Sequence, residues 1–162
     1  MRNLIFKYGI YSAVLSICLG LINWFTIAKY FNPPVSQTVG WISIFISLLF
    51  IPLGIKYYRD HSEEEKLSYA KAFSIGFGIT LVASILNGIY SFFFYLLQGD
   101  EFQQWNKKGL SPEELQVYES RMANGPEFIF DPWFQGIVFF FMIFFSGMIV
   151  NLISAWLLRN SK

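Results

Sequence analysis

Four stretches of the chain contain no Asp, Glu, Lys, Arg or His: Tyr8 to Ala28, Tyr30 to Ile55, Ala72 to Gly99 and Pro132 to Leu158. They are 21, 26, 28 and 27 residues long, so all 23 Asp, Glu, Lys and Arg residues and the lone His61 fall in the other 60. About 20 mostly apolar residues in a helix cross a hydrocarbon core roughly 30 Å thick, and each run is long enough. With 54% hydrophobic and 14% charged residues, against about 25% charged in soluble domains, a 162-residue water-soluble fold has no means of hiding its apolar surface. The expected fold is an all-α membrane protein: a single domain, 1–162, with four transmembrane helices in an antiparallel bundle. Spans are expected at about 8–28, 39–57, 73–97 and 133–158.

Arg2 and Lys7 precede the first run as in a secretory signal. The apolar region is too long for one, and no small-x-small cleavage site precedes Lys29, so an uncleaved span is expected. The sole cysteine, Cys18, lies in that span, permits no intrachain disulfide and reads as a small lipid- or helix-facing residue. A formal net charge of +1 with scattered Lys and Arg gives no support to nucleic-acid binding.

Eight basic residues (Arg2, Lys7, Lys56, Arg59, Lys66, Lys71, Arg159, Lys162) group on one side of the threading and four (Lys29, Lys107, Lys108, Arg121) on the other. The positive-inside rule then puts both termini in the cytoplasm and the long connection, 98–131, outside. The first connection, Lys29 to Thr38 around Pro33 and Pro34, and the second, Arg59 to Lys71, are short enough to make consecutive spans antiparallel neighbours. Trp and Tyr fall at both expected interfaces, with Trp24, Trp41 and Trp133 at the outer level and Tyr8, Tyr57 and Trp156 at the inner one.

The third span carries small residues every four positions: Ser68, Ala72, Gly76, Thr80, Ser84 and Gly88. Lipid tails are as apolar as leucine, so spans associate by close packing, and this spacing lets backbones approach. Four residues turn a helix about 400°, so the ladder is expected to drift and serve two neighbours in turn, with Ile79 facing lipid. Weaker ladders run through Ser12, Ser16 and Gly20 and through Gly147, Asn151 and Ala155, which makes the third helix central. Asn23, Asn87, Gln135 and Asn151 are the most polar groups within the spans, and each should face protein as interhelical glue.

In the outer loop, Ser111-Pro112-Glu113-Glu114 predicts a helix start, with Ser111 as N-cap, Pro112 at the first position and Glu114 closing a capping box. The helix, about 112–123, is short and amphipathic through Leu115, Tyr118 and Met122, and Asn124-Gly125-Pro126 offers a left-handed cap. Asp131-Pro132 repeats the cap-plus-proline arrangement ahead of the fourth span.

No ionisable side chain interrupts the runs, which argues against proton coupling. Cys18 and His61 lie too far apart to pair, one His makes no zinc site, and no phosphate-binding glycine loop is present. The acidic run Glu63-Glu64-Glu65 beside Asp60 and His61 reads as a solvated turn. No catalytic residue, cofactor or metal site is therefore expected.

Three segments, Pro52 to Asp60, Leu67 to Gly76 and Gly147 to Arg159, resemble the bacterial membrane family catalogued as domain of unknown function 4199, whose members are small four-span proteins. The resemblance covers nearly the whole chain and implies a location in the bacterial inner membrane, but no activity. Within it, Lys56, Arg59 and Lys71 surround the inner mouth of the second and third helices, placed for snorkelling to anionic head groups. The leading functional expectation is a non-enzymatic accessory or scaffold protein, with membrane lipids and a membrane-protein partner or further copies as its contacts. The alternative is a small oligomeric channel or carrier with Asn23, Asn87 and Gln135 along a path, and a lipid-modifying enzyme comes third for want of an acid-base pair.

Overall fold

The computed structural model describes residues 1–62 and 66–159; the Glu63-Glu64-Glu65 run and Lys162 lie outside the described residues. Five helices follow one another: α1 (Arg2–Tyr30), α2 (Pro33–His61), α3 (Tyr69–Asn106), α4 (Pro112–Asn124) and α5 (Pro132–Leu158). A short 3-10 turn, Glu127–Phe130, leads into α5. Helices α1, α2, α3 and α5 are each long and apolar enough to cross a membrane, and no strand occurs among the described residues.

Helix ends depart from the limits of the apolar runs. Pro33 and Pro34 start α2 instead of forming a loop, because a missing N–H costs nothing in the first turn, and only residues 31–32 separate α1 from α2. The third span, expected to stop at 97, continues as helix to Asn106, so 98–106 is not loop. Its continuation has a packing cause: Phe102 and Trp105, three residues apart on one face, both reach the Trp24 ring, at 5.8 and 5.7 Å between centroids. At 1.5 Å per residue α3 is roughly 57 Å long, well beyond a hydrocarbon core of about 30 Å.

Ser111 and Glu114 form the reciprocal capping box that starts α4, with Ser111 N–H donating to Glu114 Oε2 at 2.8 Å and Glu114 N–H to Ser111 Oγ at 3.3 Å. Gly125 does not supply a left-handed cap. Its φ is −80 and ψ 160, because Pro126 forces the residue before it into the extended region. The left-handed position is instead Gly109 (φ +87), which ends the α3 overhang.

Helix α3 is the hub. Along it, Gly76 meets Asn151, Thr80 meets Gly147 and Gly88 meets Gly136, so positions on α5 fall as those on α3 rise. Against α1 the order runs the same way on both helices: Gly78 on Ile5, Gly9 on Val82, Asn87 on Ser16 and Gln98 on Trp24. The start of α1 and the end of α5 therefore both lie beside the start of α3, the termini end of the bundle; the connection 98–131 marks the loop end.

Three rungs of the small-residue ladder, Gly76, Thr80 and Gly88, meet α5, and Gly76 touches α2 as well, through Ile55. The i±4 row is inclined about 26° to its helix axis, so a partner lying along that row meets successive rungs. Ile79 does not face the bundle exterior: it is fully buried against Gly54 of α2, because the hub helix is packed on several sides.

Within α2, Pro52 offers no N–H to the Leu48 carbonyl, and the turn tightens at Leu49, whose N–H bonds Ile46 O at 3.2 Å. Nearby, the Ser12 hydroxyl of α1 donates to the Ser47 carbonyl at 2.9 Å, stitching α1 to the bend.

Candidate ligand cavity at the loop end of the bundle

The two halves of the bundle are built from different residues. Towards the termini end, Leu48, Ile51, Ile55, Ile75, Ile79 and Ile143 are fully buried and fill the space between helices. Asn151 is buried among them; its Nδ2 donates to the Phe73 carbonyl at 3.1 Å, and its Oδ1 lies where a Cβ on Gly76 would stand. Oδ1 has no hydrogen-bond partner among the described residues, so Gly76 is the residue that gives it room.

Towards the loop end the helices part around a cavity of about 380 Å³ lined by α1, α2, α3 and α5. Its polar lining comes from amides and hydroxyls, among them Asn23, Asn87, Gln135, Ser16, Ser36 and Ser43, and its walls include Trp24, Trp41, Tyr90, Phe94, Tyr95, Phe102 and Trp105. Among the described residues no charged side chain lines it. Volume, apolar walls and a few convergent polar groups match the general anatomy of small-molecule sites.

Each amide is held. Asn23 Nδ2 donates to Ser36 O at 2.9 Å while Asn23 Oδ1 accepts from Ser36 Oγ at 3.1 Å, joining α1 to α2. Asn87 Oδ1 accepts from Ser16 Oγ at 2.8 Å, and its Nδ2 donates to Ala83 O of its own helix at 2.9 Å. The Gln135 side chain stays within its own segment, its Nε2 donating to the Ile129 carbonyl in the turn ahead of α5 at 2.6 Å, while its backbone carbonyl accepts from Ser91 Oγ of α3 at 3.4 Å. The structure thus brings Asn23, Asn87 and Gln135 to one cavity and leaves Asn151 in the packed half.

Residues 23–27 of α1 widen into a π-helical segment, with Thr26 Oγ1 bonding the Ile22 carbonyl at 2.5 Å. Asn23 and Trp24, both in the cavity wall, stand at its start. The α3 overhang roofs the site. Trp105 Nε1 donates to Ala28 O at 3.0 Å, Trp24 Nε1 to Gln98 Oε1 at 3.3 Å, and Lys108 Nζ to Lys29 O at 2.8 Å. Lys107 pairs with Glu119 of α4 at 3.2 Å, yet no residue of α4 is buried. Asp131 spends a carboxylate oxygen on the Trp133 indole, at 3.0 Å, rather than on the backbone of α5.

Of the other ladder residues, Ser68 is exposed and caps α3, while Ala72, Thr80, Ser84 and Gly88 are buried, with the Thr80 and Ser84 hydroxyls donating to Gly76 O and Thr80 O of their own helix, each at 2.8 Å. Of the basic set, Lys56 is exposed, Arg59 pairs with Asp60 at 2.8 Å, and Lys71 Nζ stands 5.5 Å from the Tyr58 ring centre. They decorate the termini end, where fully buried apolar side chains fill the space between the helices. Among the described residues no three His, Cys, Asp or Glu side chains gather as metal ligands; Cys18 is exposed and His61 stacks on Tyr57, 4.1 Å between centroids.

Sequence reasoning missed Tyr90, Phe102 and Trp105 as wall residues. The signal for the last two was the apolar pair three residues apart beyond the third run; nothing in the pattern marked Tyr90.

A family model described as "Protein of unknown function (DUF4199)" matches residues 7–160. No curated protein and no solved structure matches the chain.

Proposed function

The chain belongs to the DUF4199 family, and because that family's function is unknown, it is from the cavity that we propose what the protein does: it is a non-enzymatic accessory protein of the membrane that binds a small uncharged molecule. The observation that carries this reading is the neutral, ring-walled space of about 380 Å³ beside a tightly packed half. A charged ligand would lose its hydration there and find no counter-charge, at a cost of several kcal/mol. Asn23 and Asn87 are held in place by hydrogen bonds to other helices, which pre-organises the site.

The oligomeric channel is the weaker reading, since the buried Leu48, Ile51, Ile55, Ile75, Ile79 and Ile143 close a single copy below the cavity. In this proposal the four spans thread antiparallel through a bacterial inner membrane, both termini cytoplasmic, with α4 lying amphipathically outside. Eight Lys and Arg against four support that orientation.

Gly40 lines the cavity, and a Cβ there would meet nothing closer than Asn23 Nδ2 at 3.7 Å, so Gly40→Leu fills the space without breaking the helix. Native mass spectrometry of the full chain drawn from membranes in mild detergent should show a bound small molecule whose occupancy falls in Gly40→Leu. A bare wild-type chain, or equal occupancy in the variant, refutes the reading.

A further inference from the structure

The proposed binding function leaves the ligand's chemistry open, and three features of the cavity narrow it. The first is the distribution of hydrogen-bond donors. Asn23 and Asn87 each commit one amide N–H, to Ser36 O and Ala83 O, and Ser43 its hydroxyl to Val39 O, leaving the second N–H of each Asn and the Gln37 amide as further donors. The hydroxyls of Tyr90 and Tyr95, by contrast, make no hydrogen bond among the described residues, although both side chains line the cavity. Both residues are half-buried, and a phenol with no partner can donate to an acceptor brought into the cavity.

The second is the set of rings. Phe94 lies edge-on to Trp24, 5.3 Å between centroids, and Tyr90 is 6.0 Å from Phe94, so flat faces and edges are presented together on α1 and α3. Such a wall suits a planar guest by offset or edge-to-face stacking, worth about 0.5–1.5 kcal/mol per pair beyond area burial.

The third is the direction of access. On the side between α2 and α5, the lining residues Trp41 and Val138 are 45% and 44% exposed on helices that are apolar enough to cross a membrane. Their exposed faces lie where acyl chains would be, so the cavity communicates with the bilayer sideways.

Resting on the binding reading above, we infer that the cavity takes a bilayer-borne, uncharged lipophile whose head is a planar ring bearing carbonyl oxygens, the quinone class, with the Tyr90 and Tyr95 hydroxyls donating to those oxygens. The ring slides between α2 and α5 and stacks on the Trp24 and Phe94 wall, and its tail stays among the lipids. Binding alone is at issue, with no electron transfer.

The test uses the full chain in detergent micelles with decylubiquinone as the probe, and dioleoylglycerol as a neutral lipid with acceptor oxygens but no ring. Binding is read as a saturable rise in thermal midpoint. Decylubiquinone should bind saturably, Gly40→Leu should abolish this, and Tyr90→Phe with Tyr95→Phe, which keeps both rings, should weaken it about tenfold, as expected for losing two donors. Saturable, Gly40-sensitive binding of dioleoylglycerol but not decylubiquinone overturns the ring class while leaving the binding function standing. Decylubiquinone binding that ignores the two Tyr→Phe changes or Gly40→Leu also overturns the inference. No saturable binding of either probe, together with a bare chain in the native mass spectrum, removes the inference and the binding function alike.

Discussion

The two ends of the bundle use the same kinds of residue, small side chains and neutral amides, to opposite effect. At the termini end a small residue is where another group already sits: Gly76 yields its Cβ position to Asn151, and Gly147 to Thr80. At the loop end Gly88 and Gly136 still pack on each other, each with the other's carbonyl 3.0 Å from its Cβ position, but the two glycines on the α1 and α2 walls of the cavity face space. A Cβ on Gly40 or Gly20 would meet its nearest neighbour at 3.7 or 3.9 Å, an ordinary contact. Glycine in a membrane helix therefore carries two meanings, close approach or room for a guest, and only the partner's position separates them.

The comparison breaks first at Gly76 if it is wrong. Leucine there must displace a buried amide whose Nδ2 is bonded to Phe73 O, and overpacking of this kind costs about 3 kcal/mol. Ile153→Leu, at a 56% exposed site on α5, should leave the thermal midpoint of the detergent-solubilised chain unchanged. Equal midpoints for the two variants would mean that α3 and α5 do not meet there. Gly147→Ala is the milder version: its Cβ would fall 2.6 Å from Thr80 Cγ2, and a loss of about 1 kcal/mol is expected from the same measurement.

At the loop end the sign changes. Gly40→Ala puts a methyl group into open space and gives a helix interior a better helix former, so stability should hold within about 0.5 kcal/mol or rise slightly. A loss as large as that from Gly76→Leu would show that the cavity is closed in solution, and the contrast between the halves would disappear.

How much of this was legible in the sequence follows from what each signal measures. Charge-free runs report the need to bury backbone in hydrocarbon, so four spans could be read directly, and the Ser111-x-x-Glu114 spacing reports a local capping interaction. The ends of α3 were not legible from hydropathy, because residues 98–106 are polar enough to look like loop and stay helical through Phe102 and Trp105 packing on another helix. The polar residues of the site were visible singly as Asn23, Asn87 and Gln135. That they share one cavity while Asn151 does not is a matter of height along the bundle, which a list of positions on separate helices does not contain. Ile79 was misplaced for the same reason: a helix surrounded on several sides has little lipid-facing surface for a periodicity argument to find.

The smallest expected effect lies at α4, which touches the loop end without a buried residue of its own and so depends on its cap. Glu114 accepts the Ser111 backbone N–H, and that bond first, then the contact with the Ser111 hydroxyl, holds its carboxyl below the ordinary carboxylate range. A folded-state pKa below the unfolded one means that the stabilisation is fully present above the unfolded pKa and is lost as pH falls through the folded pKa. Acidification through the carboxylate range should therefore lower amide protection, exchange being read against the intrinsic rate at each pH, in the first turn of α4 and leave protection in the Gly76 to Gly88 stretch of α3 unchanged. Ser111→Ala should loosen the same turn at neutral pH, because it removes the hydroxyl that accepts the Glu114 N–H, while the backbone N–H of residue 111 can still reach the Glu114 carboxylate. If protection in α4 and in the α3 stretch fell together on acidification, α4 would be part of the bundle's cooperative core, and the loop end would be no looser than the termini end.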